Sequence, residues 1–191
     1  MAELKHNLRL LGGVCIIAAI VSGILKGAWE VARPILVDAQ VFASAPPPRL
    51  WAYALLEVIK SVGFFAGLFG FYQCATKRGP VVKVFMMLAA LGAVFFAVVW
   101  LAMAATAHFT IIYVLGGMWY QMIAPVVLSI AAISARYVLR WQAITIIAVG
   151  IINSQIFPLL GPGRAMIVQG IVWLVLGYLV FKYADNKQLR P

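Results

Sequence analysis

The chain has 191 residues, of which 65% are hydrophobic and 10% are charged, and its mean hydropathy is +1.03. These values are far from those of a water-soluble domain and indicate an integral membrane protein whose main surroundings are the lipid bilayer. The formal net charge of +10 does not indicate nucleic-acid binding, because the basic residues occur as short pairs at the ends of apolar runs rather than as a stripe. The polar loops are too short for a separate soluble domain, so residues 1–191 are predicted to form one transmembrane domain.

Apolar runs taken in chain order predict an all-α bundle of six transmembrane helices. Each run is long enough to cross about 30 Å of hydrocarbon. The predicted helices lie near residues 10–31, 51–75, 82–104, 110–134, 141–160 and 164–183. Prolines and glycines mark the connectors, among them Pro46-Pro47-Pro48, Gly79-Pro80 and Gly161-Pro162-Gly163.

The first predicted helix has two distinctive faces. Ser22, Lys26, Glu30 and Arg33 recur at steps of four, four and three, so they share one side of the helix. A second set consists of small residues, which predict close packing against another helix, of this chain or of a partner protein. This set comprises Gly12, Gly13, Ala19, Gly23 and Gly27.

The second predicted helix carries a matching polar face formed by Tyr53, Glu57 and Lys60, at steps of four and three. Since a charge inside a membrane costs several kcal/mol unless it is paired, we expect this face to meet the Lys26 and Glu30 stripe inside the bundle. The alternative is that both lysines extend to the headgroups while each glutamate pairs with a lysine of its own helix.

The later helices add polar residues at a similar depth. An α-helix rises about 1.5 Å per residue. We count residues from the basic residue at the other end of each helix, and this places Lys26, Lys60 and Arg164 about 26 Å from the same membrane edge. Three amides are predicted slightly deeper, so we expect a polar layer that spans five of the six helices. These amides belong to Gln121, Asn153 and Gln155.

The distribution of basic residues predicts the orientation. With the N-terminus inside, ten lysines and arginines fall on the cytoplasmic side and three, Arg33, Arg49 and Arg164, fall outside. The positive-inside rule therefore places both termini in the cytoplasm. Of the membranes consistent with this orientation, a bacterial inner membrane is favoured, and a eukaryotic membrane remains an alternative.

Three classes of function are consistent with this layer. The preferred hypothesis is an outward-facing polar pocket that binds, or helps to transport, a small polar or anionic molecule or a lipid headgroup. Its predicted ligand-binding residues are Lys26, Glu30, Glu57, Lys60, Gln121, Asn153, Gln155 and Arg164. One alternative is an accessory subunit of a membrane complex, which would contact a partner membrane protein or further copies of itself. The other is a membrane enzyme that uses Glu57 and Lys60 on a lipid-linked substrate.

No cofactor and no metal site is predicted, because the two histidines and two cysteines show no ligand spacing. In size, helix number, orientation and small-residue first helix, the chain resembles in architecture the substrate-binding subunits of energy-coupling-factor vitamin transporters. Replacing Glu57 with Gln is expected to impair ligand binding more than folding, because Gln keeps the size of the side chain and loses only its charge.

Overall fold

A computed structural model of the protein describes residues 2–36, 38–74, 80–108 and 160–184 and the isolated positions 144 and 147. Within these residues, every regular element is a helix. The elements are α1 (Ala2–Ala18), the π-helix π1 (Ala19–Leu25), α2 (Lys26–Ala32), α3 (Ala39–Ala43), α4 (Pro47–Gln73), α5 (Pro80–Thr106) and α6 (Pro162–Tyr183). The predicted all-α fold is therefore confirmed for the described part of the chain.

Four helices in these described ranges are long and apolar enough to cross a membrane. They span Glu3–Ala32, Pro47–Gln73, Met86–Thr106 and Pro162–Tyr183. They correspond to the first, second, third and sixth predicted helices, and they are compatible with an integral membrane location. The predicted helices at 110–134 and 141–160 lie, apart from single positions, outside the described residues.

The helix boundaries differ from the predicted ones at their first turns. The first helix begins at Ala2 rather than near residue 10, because polar side chains do not prevent backbone hydrogen bonding and an acidic residue, Glu3, suits a helix N-terminus. Pro47 and Pro162 lie in the first turns of α4 and α6 instead of in connectors. Proline is favoured there because the first helical N–H groups have no partner inside the helix.

The first three elements form one continuous helix. Ala18 and Lys26, at the two ends of π1, both keep right-handed helical dihedral angles, so the chain does not break at either junction. A π-helix inside an α-helix changes the register of the residues that follow it. The direction in which Lys26 points is therefore set partly by π1.

The small residues of this continuous helix pack against α6. A Cβ atom added to Gly23 would lie 2.4 Å from Cα of Gly170, and one added to Gly27 would lie 2.7 Å from the carbonyl oxygen of Gly163. Contacts this close require glycine, because they bring the two backbones together. The predicted close packing is confirmed for Gly12, Gly23 and Gly27, whose partner is a helix of the same chain, whereas Gly13 has no atom within 4 Å of an added Cβ.

Two hydrophobic clusters form the core. One joins α1, α4 and α6 through residues such as Leu68, Trp173 and Leu176. The other joins α4, α5 and the connection between α2 and α4 through residues such as Leu50 and Phe96. Along α4, the positions between the two clusters include the charged residues of the candidate site.

Candidate functional site

The polar stripe of the continuous helix formed by α1, π1 and α2 points into the protein. Ser22, Lys26 and Glu30 expose only 0%, 1% and 2% of their surface, whereas Arg33, just beyond the end of α2, is exposed. The three buried residues are spaced by four, so they occupy successive turns of one helix face. This face lies on the glycine-rich helix that packs closely on α6.

The polar stripe of α4 is buried in the same way. Tyr53 and Glu57 expose 0% of their surface and Lys60 exposes 6%. These residues share a face because they recur at steps of four and three in a continuous helix. Both predicted charged faces are thus turned away from the surroundings.

Glu57 lies between two lysines. Its Oε1 atom contacts Nζ of Lys26 on the neighbouring helix, and its Oε2 atom is 2.6 Å from Nζ of Lys60, three residues later on the same helix. The predicted pairing between the two stripes is confirmed by the first contact. The alternative predicted the local pairing of Glu57 with Lys60, but not the burial of the two lysines, which it placed at the headgroups.

Aromatic rings enclose the two ammonium groups. Nζ of Lys26 is 4.9 Å from the ring centroid of Tyr53 and 4.7 Å from that of Trp100, on α5. Nζ of Lys60 is 5.1 Å from the Phe96 ring and 5.9 Å from the Phe64 ring. These distances are within the range of cation–π attraction, which partly replaces the solvation that the lysines lose on burial.

Glu30 has a different role from the one its spacing predicts. Its Oε1 atom accepts hydrogen bonds from the backbone N–H groups of Ile35 and Leu36, at 2.9 and 2.8 Å, and its Oε2 atom accepts one from the Tyr53 hydroxyl at 2.7 Å. Glu30 therefore anchors the start of the α2–α4 connection to α4.

The α2–α4 connection packs against the end of the site. Ile35 and Phe42 each expose only 1% of their surface, in the same hydrophobic cluster as Tyr53. The Phe42 ring is 6.4 Å from the Trp100 ring, which in turn faces Lys26. The Trp100 ring therefore has neighbours both in the connection and at the buried ammonium group.

The site contains four buried charged groups. Two ammonium groups share the carboxylate of Glu57, and the carboxylate of Glu30 also interacts electrostatically with Lys26, so these four groups balance in formal charge. Among the described residues, the buried side-chain atoms without a hydrogen-bond partner are Ser22 Oγ, Arg49 Nε, Glu57 Oε2 and the indole nitrogens of Trp100 and Trp173. Orphaned buried donors are rare in proteins, and they are often satisfied by a bound molecule or by water.

Comparison with protein-family models, curated proteins and solved structures found no match. The function must therefore be inferred from the side chains of the site.

The remaining predicted site residues do not join this group in the described structure. Arg164 is exposed in the first turn of α6. Gln121, Asn153 and Gln155 lie outside the described residues. Within the described ranges, no group of three His, Cys, Asp or Glu side chains is arranged to hold a metal ion.

Sequence reasoning missed the contribution of α5. Phe96 and Trp100 are spaced by four and line the two lysines. Their spacing was visible, but aromatic residues at helical spacing usually indicate only a packed core. Gln169 was missed as well, although it is a buried polar residue in an apolar helix, exposing 7% of its surface.

Proposed function

We propose that this protein binds a small anionic molecule, or the anionic headgroup of a lipid, at Lys26, Glu57 and Lys60, and that binding is a step in moving that molecule across or within the membrane. Two buried ammonium groups that share the single carboxylate of Glu57 support this proposal, because the carboxylate of Glu30 is already occupied by Ile35, Leu36 and Tyr53. The oxygens of an anion could accept hydrogen bonds from the ammonium group of Lys60 in place of Glu57.

Lys60 is the residue that we propose engages the anion. Lys26 holds two helices together through Glu57, and its side chain is fully buried. Lys60 pairs with Glu57 inside a single helix, and its side chain retains 7% exposure. It can therefore exchange Glu57 for another anion without separating the helices.

We also propose an arrangement in the membrane. The excess of basic residues at one side supports an orientation with both termini in the cytoplasm, and the apolar runs at 110–134 and 141–160 support two further spans. In this orientation the site lies in the half of the bilayer nearer the outside, in a bacterial inner membrane. Anions would then reach Lys60 from the outer side.

The proposal is tested by titrating the purified protein in phosphatidylcholine nanodiscs with inorganic phosphate, succinate and dioctanoyl phosphatidylglycerol. Trp100 lies beside Lys26, so the fluorescence of the protein is expected to report binding. Lys60→Met should weaken binding of the effective anion at least tenfold, because the exchangeable charge is lost, and Lys60→Arg should retain most of it. Neither variant should unfold, since Lys26 remains paired with Glu57.

The matched control is Lys83→Met, which removes an exposed lysine from α5. It is expected to bind as the unmodified protein does, and added sodium chloride controls for general screening of charge. If none of the three probes binds, or if Lys60→Met and Lys83→Met bind equally well, the proposal is wrong.

A further inference from the structure

The four buried charges of the candidate site balance one another. Lys26 and Lys60 contribute two positive charges, and Glu30 and Glu57 contribute two negative charges. Arg49 is partly exposed and lies about 12 Å before Glu57 along α4. Before an anion binds, the formal charge of the buried site is therefore zero.

The charged groups that face Glu57 come from α2 and from α4 itself. Nζ of Lys26 contacts its Oε1 atom, and Nζ of Lys60 is 2.6 Å from its Oε2 atom. Tyr53, one helical turn earlier, donates its hydroxyl to Glu30 instead. On the other side, α5 presents aromatic rings to the two lysines. The charged residues of α5 and α6 that the structure describes are exposed; they are Lys83, Arg164 and Lys182.

An anion at Lys60 upsets this balance. When Lys60 exchanges Glu57 for the anion, the site gains at least one negative charge, and a net charge buried inside a membrane protein is costly. The Oε2 atom of Glu57 loses its ionic partner in the same step. It is buried and has no hydrogen-bond partner to take over, while Oε1 stays with Lys26. Glu57 would then hold an unpaired carboxylate oxygen beside the incoming anion.

A proton on Oε2 removes both costs. It returns the site to zero charge when the anion has a single charge, and it converts Oε2 from an acceptor into a donor for a hydrogen bond to the anion. Glu30 is less suited to take this proton. Its two oxygens keep their hydrogen bonds from Ile35, Leu36 and Tyr53 when Lys60 moves, so its surroundings do not change.

We propose that this protein binds its anion together with one proton, which passes from water to Oε2 of Glu57 as Lys60 moves its contact to the anion. This inference rests on the function proposed above and specifies how the same site works. Binding of a singly charged anion is then electroneutral, and its release returns both the anion and the proton to water. Movement of the anion across the membrane is thereby coupled to the proton gradient.

The test is the pH dependence of the dissociation constant in phosphatidylcholine nanodiscs, with inorganic phosphate, succinate and dioctanoyl phosphatidylglycerol as probes. If one proton is taken up with each anion, the dissociation constant should rise about tenfold per pH unit between about pH 6 and pH 8. The same titrations are made on Glu57→Gln, which keeps the size of the side chain and, like a protonated carboxyl group, is neutral and donates a hydrogen bond. This variant should lose the tenfold dependence.

The comparison of the two slopes isolates the proton of Glu57. Phosphate changes its own charge near neutral pH, and the lysines and the exposed histidines, His6 and His108, also titrate. All of these groups are the same in both proteins, so their contributions cancel in the difference. Glu3→Gln is the matched control, because it makes the same chemical change at an exposed position and should keep the slope of the unmodified protein.

A second measurement does not depend on the folding of Glu57→Gln. The unmodified protein is mixed with succinate or dioctanoyl phosphatidylglycerol in weakly buffered solution, and a pH-indicator dye reports protons taken up. Both probes keep a constant charge at about pH 7.5, because their acidic groups titrate well below this value. We expect about one proton per bound anion, and none with Lys60→Met, which lacks the exchangeable charge.

The outcomes separate the two proposals. If an anion binds through Lys60 and its dissociation constant has the same pH dependence in Glu57→Gln as in the unmodified protein, the proton is not carried by Glu57. A dissociation constant for succinate or dioctanoyl phosphatidylglycerol that changes less than about twofold between about pH 6 and pH 8 shows that no proton is taken up. In both cases this inference is wrong while the proposed function stands. If no probe binds at any pH, both proposals fail.

Discussion

Removing the charge of Glu57 is expected to destabilise the folded protein. The sequence alone led to a different expectation, that Glu57→Gln would impair ligand binding more than folding. In the structure, Glu57 is the carboxylate that contacts both Lys26 and Lys60, and all three residues are buried. Glu57→Gln would leave two like charges without this partner inside the bundle. Removing one member of a buried ion pair typically costs about 3–5 kcal/mol.

The number of buried ammonium groups left without Glu57 predicts the order of melting temperatures in a set of variants. Glu57→Gln leaves both ammonium groups without this carboxylate, and the double variant Lys26→Met/Glu57→Gln leaves one. Lys26→Met alone leaves Lys60 paired with Glu57. For a chain of this size, 1 kcal/mol shifts the melting temperature by about 2–4 °C, so a loss of 3–5 kcal/mol corresponds to about 6–20 °C. The double variant should recover part of that loss, and Lys26→Met alone should melt closest to the unmodified protein.

The assay is thermal melting of the purified protein in detergent, followed by size-exclusion chromatography of the material that stays folded. Glu3→Gln is the matched control, because it makes the same chemical change at an exposed position in the first turn of α1. If Glu57→Gln melts within about 2 °C of Glu3→Gln, the difference is below about 1 kcal/mol and the buried ion pairs do not hold the bundle together.

Three further outcomes are expected from other parts of the molecule. Gly23→Ala should destabilise the folded protein by about 1–3 kcal/mol, because the added Cβ would lie 2.4 Å from the backbone of α6. Gly13→Ala should be neutral or slightly stabilising in a melting experiment, because an added Cβ would have nothing within 4 Å. Tyr53→Phe removes a 2.7 Å hydrogen bond to a buried carboxylate and should lower stability by about 1.5–3 kcal/mol in the same assay; an unchanged melting temperature would contradict this. In intact cells, a cysteine placed near Arg78 in a variant without native cysteines should not react with an impermeant thiol reagent, and one near Ser44 should react; the reverse pattern would overturn the proposed orientation.

Hydropathy and residue spacing along the chain establish the class of the fold and many of the residues that lie inside it. The long apolar runs indicate membrane-crossing helices because the backbone of a chain in hydrocarbon must satisfy its own hydrogen bonds. The steps between Lys26 and Glu30, and between Glu57 and Lys60, place these residues on single helix faces. Their burial then follows from the cost of exposing a charge to lipid.

The helix ends could not be predicted as well, since they depend on backbone geometry more than on hydropathy. Pro47 and Pro162 appeared to be breakers between helices, yet both stand in first turns. A proline is unfavourable inside a helix and favourable at its start, and the pattern of apolar residues does not distinguish these positions.

The packing of the helices sets which charges pair. Local spacing allowed Lys26 to pair with Glu30, but Glu30 instead accepts hydrogen bonds from Ile35, Leu36 and Tyr53, and Lys26 reaches Glu57 on another helix. That choice depends on how closely two helices approach and how π1 turns the residues that follow it. The position of the α5 aromatic rings beside the two lysines is likewise a product of packing, because the rings and the lysines are far apart in the chain.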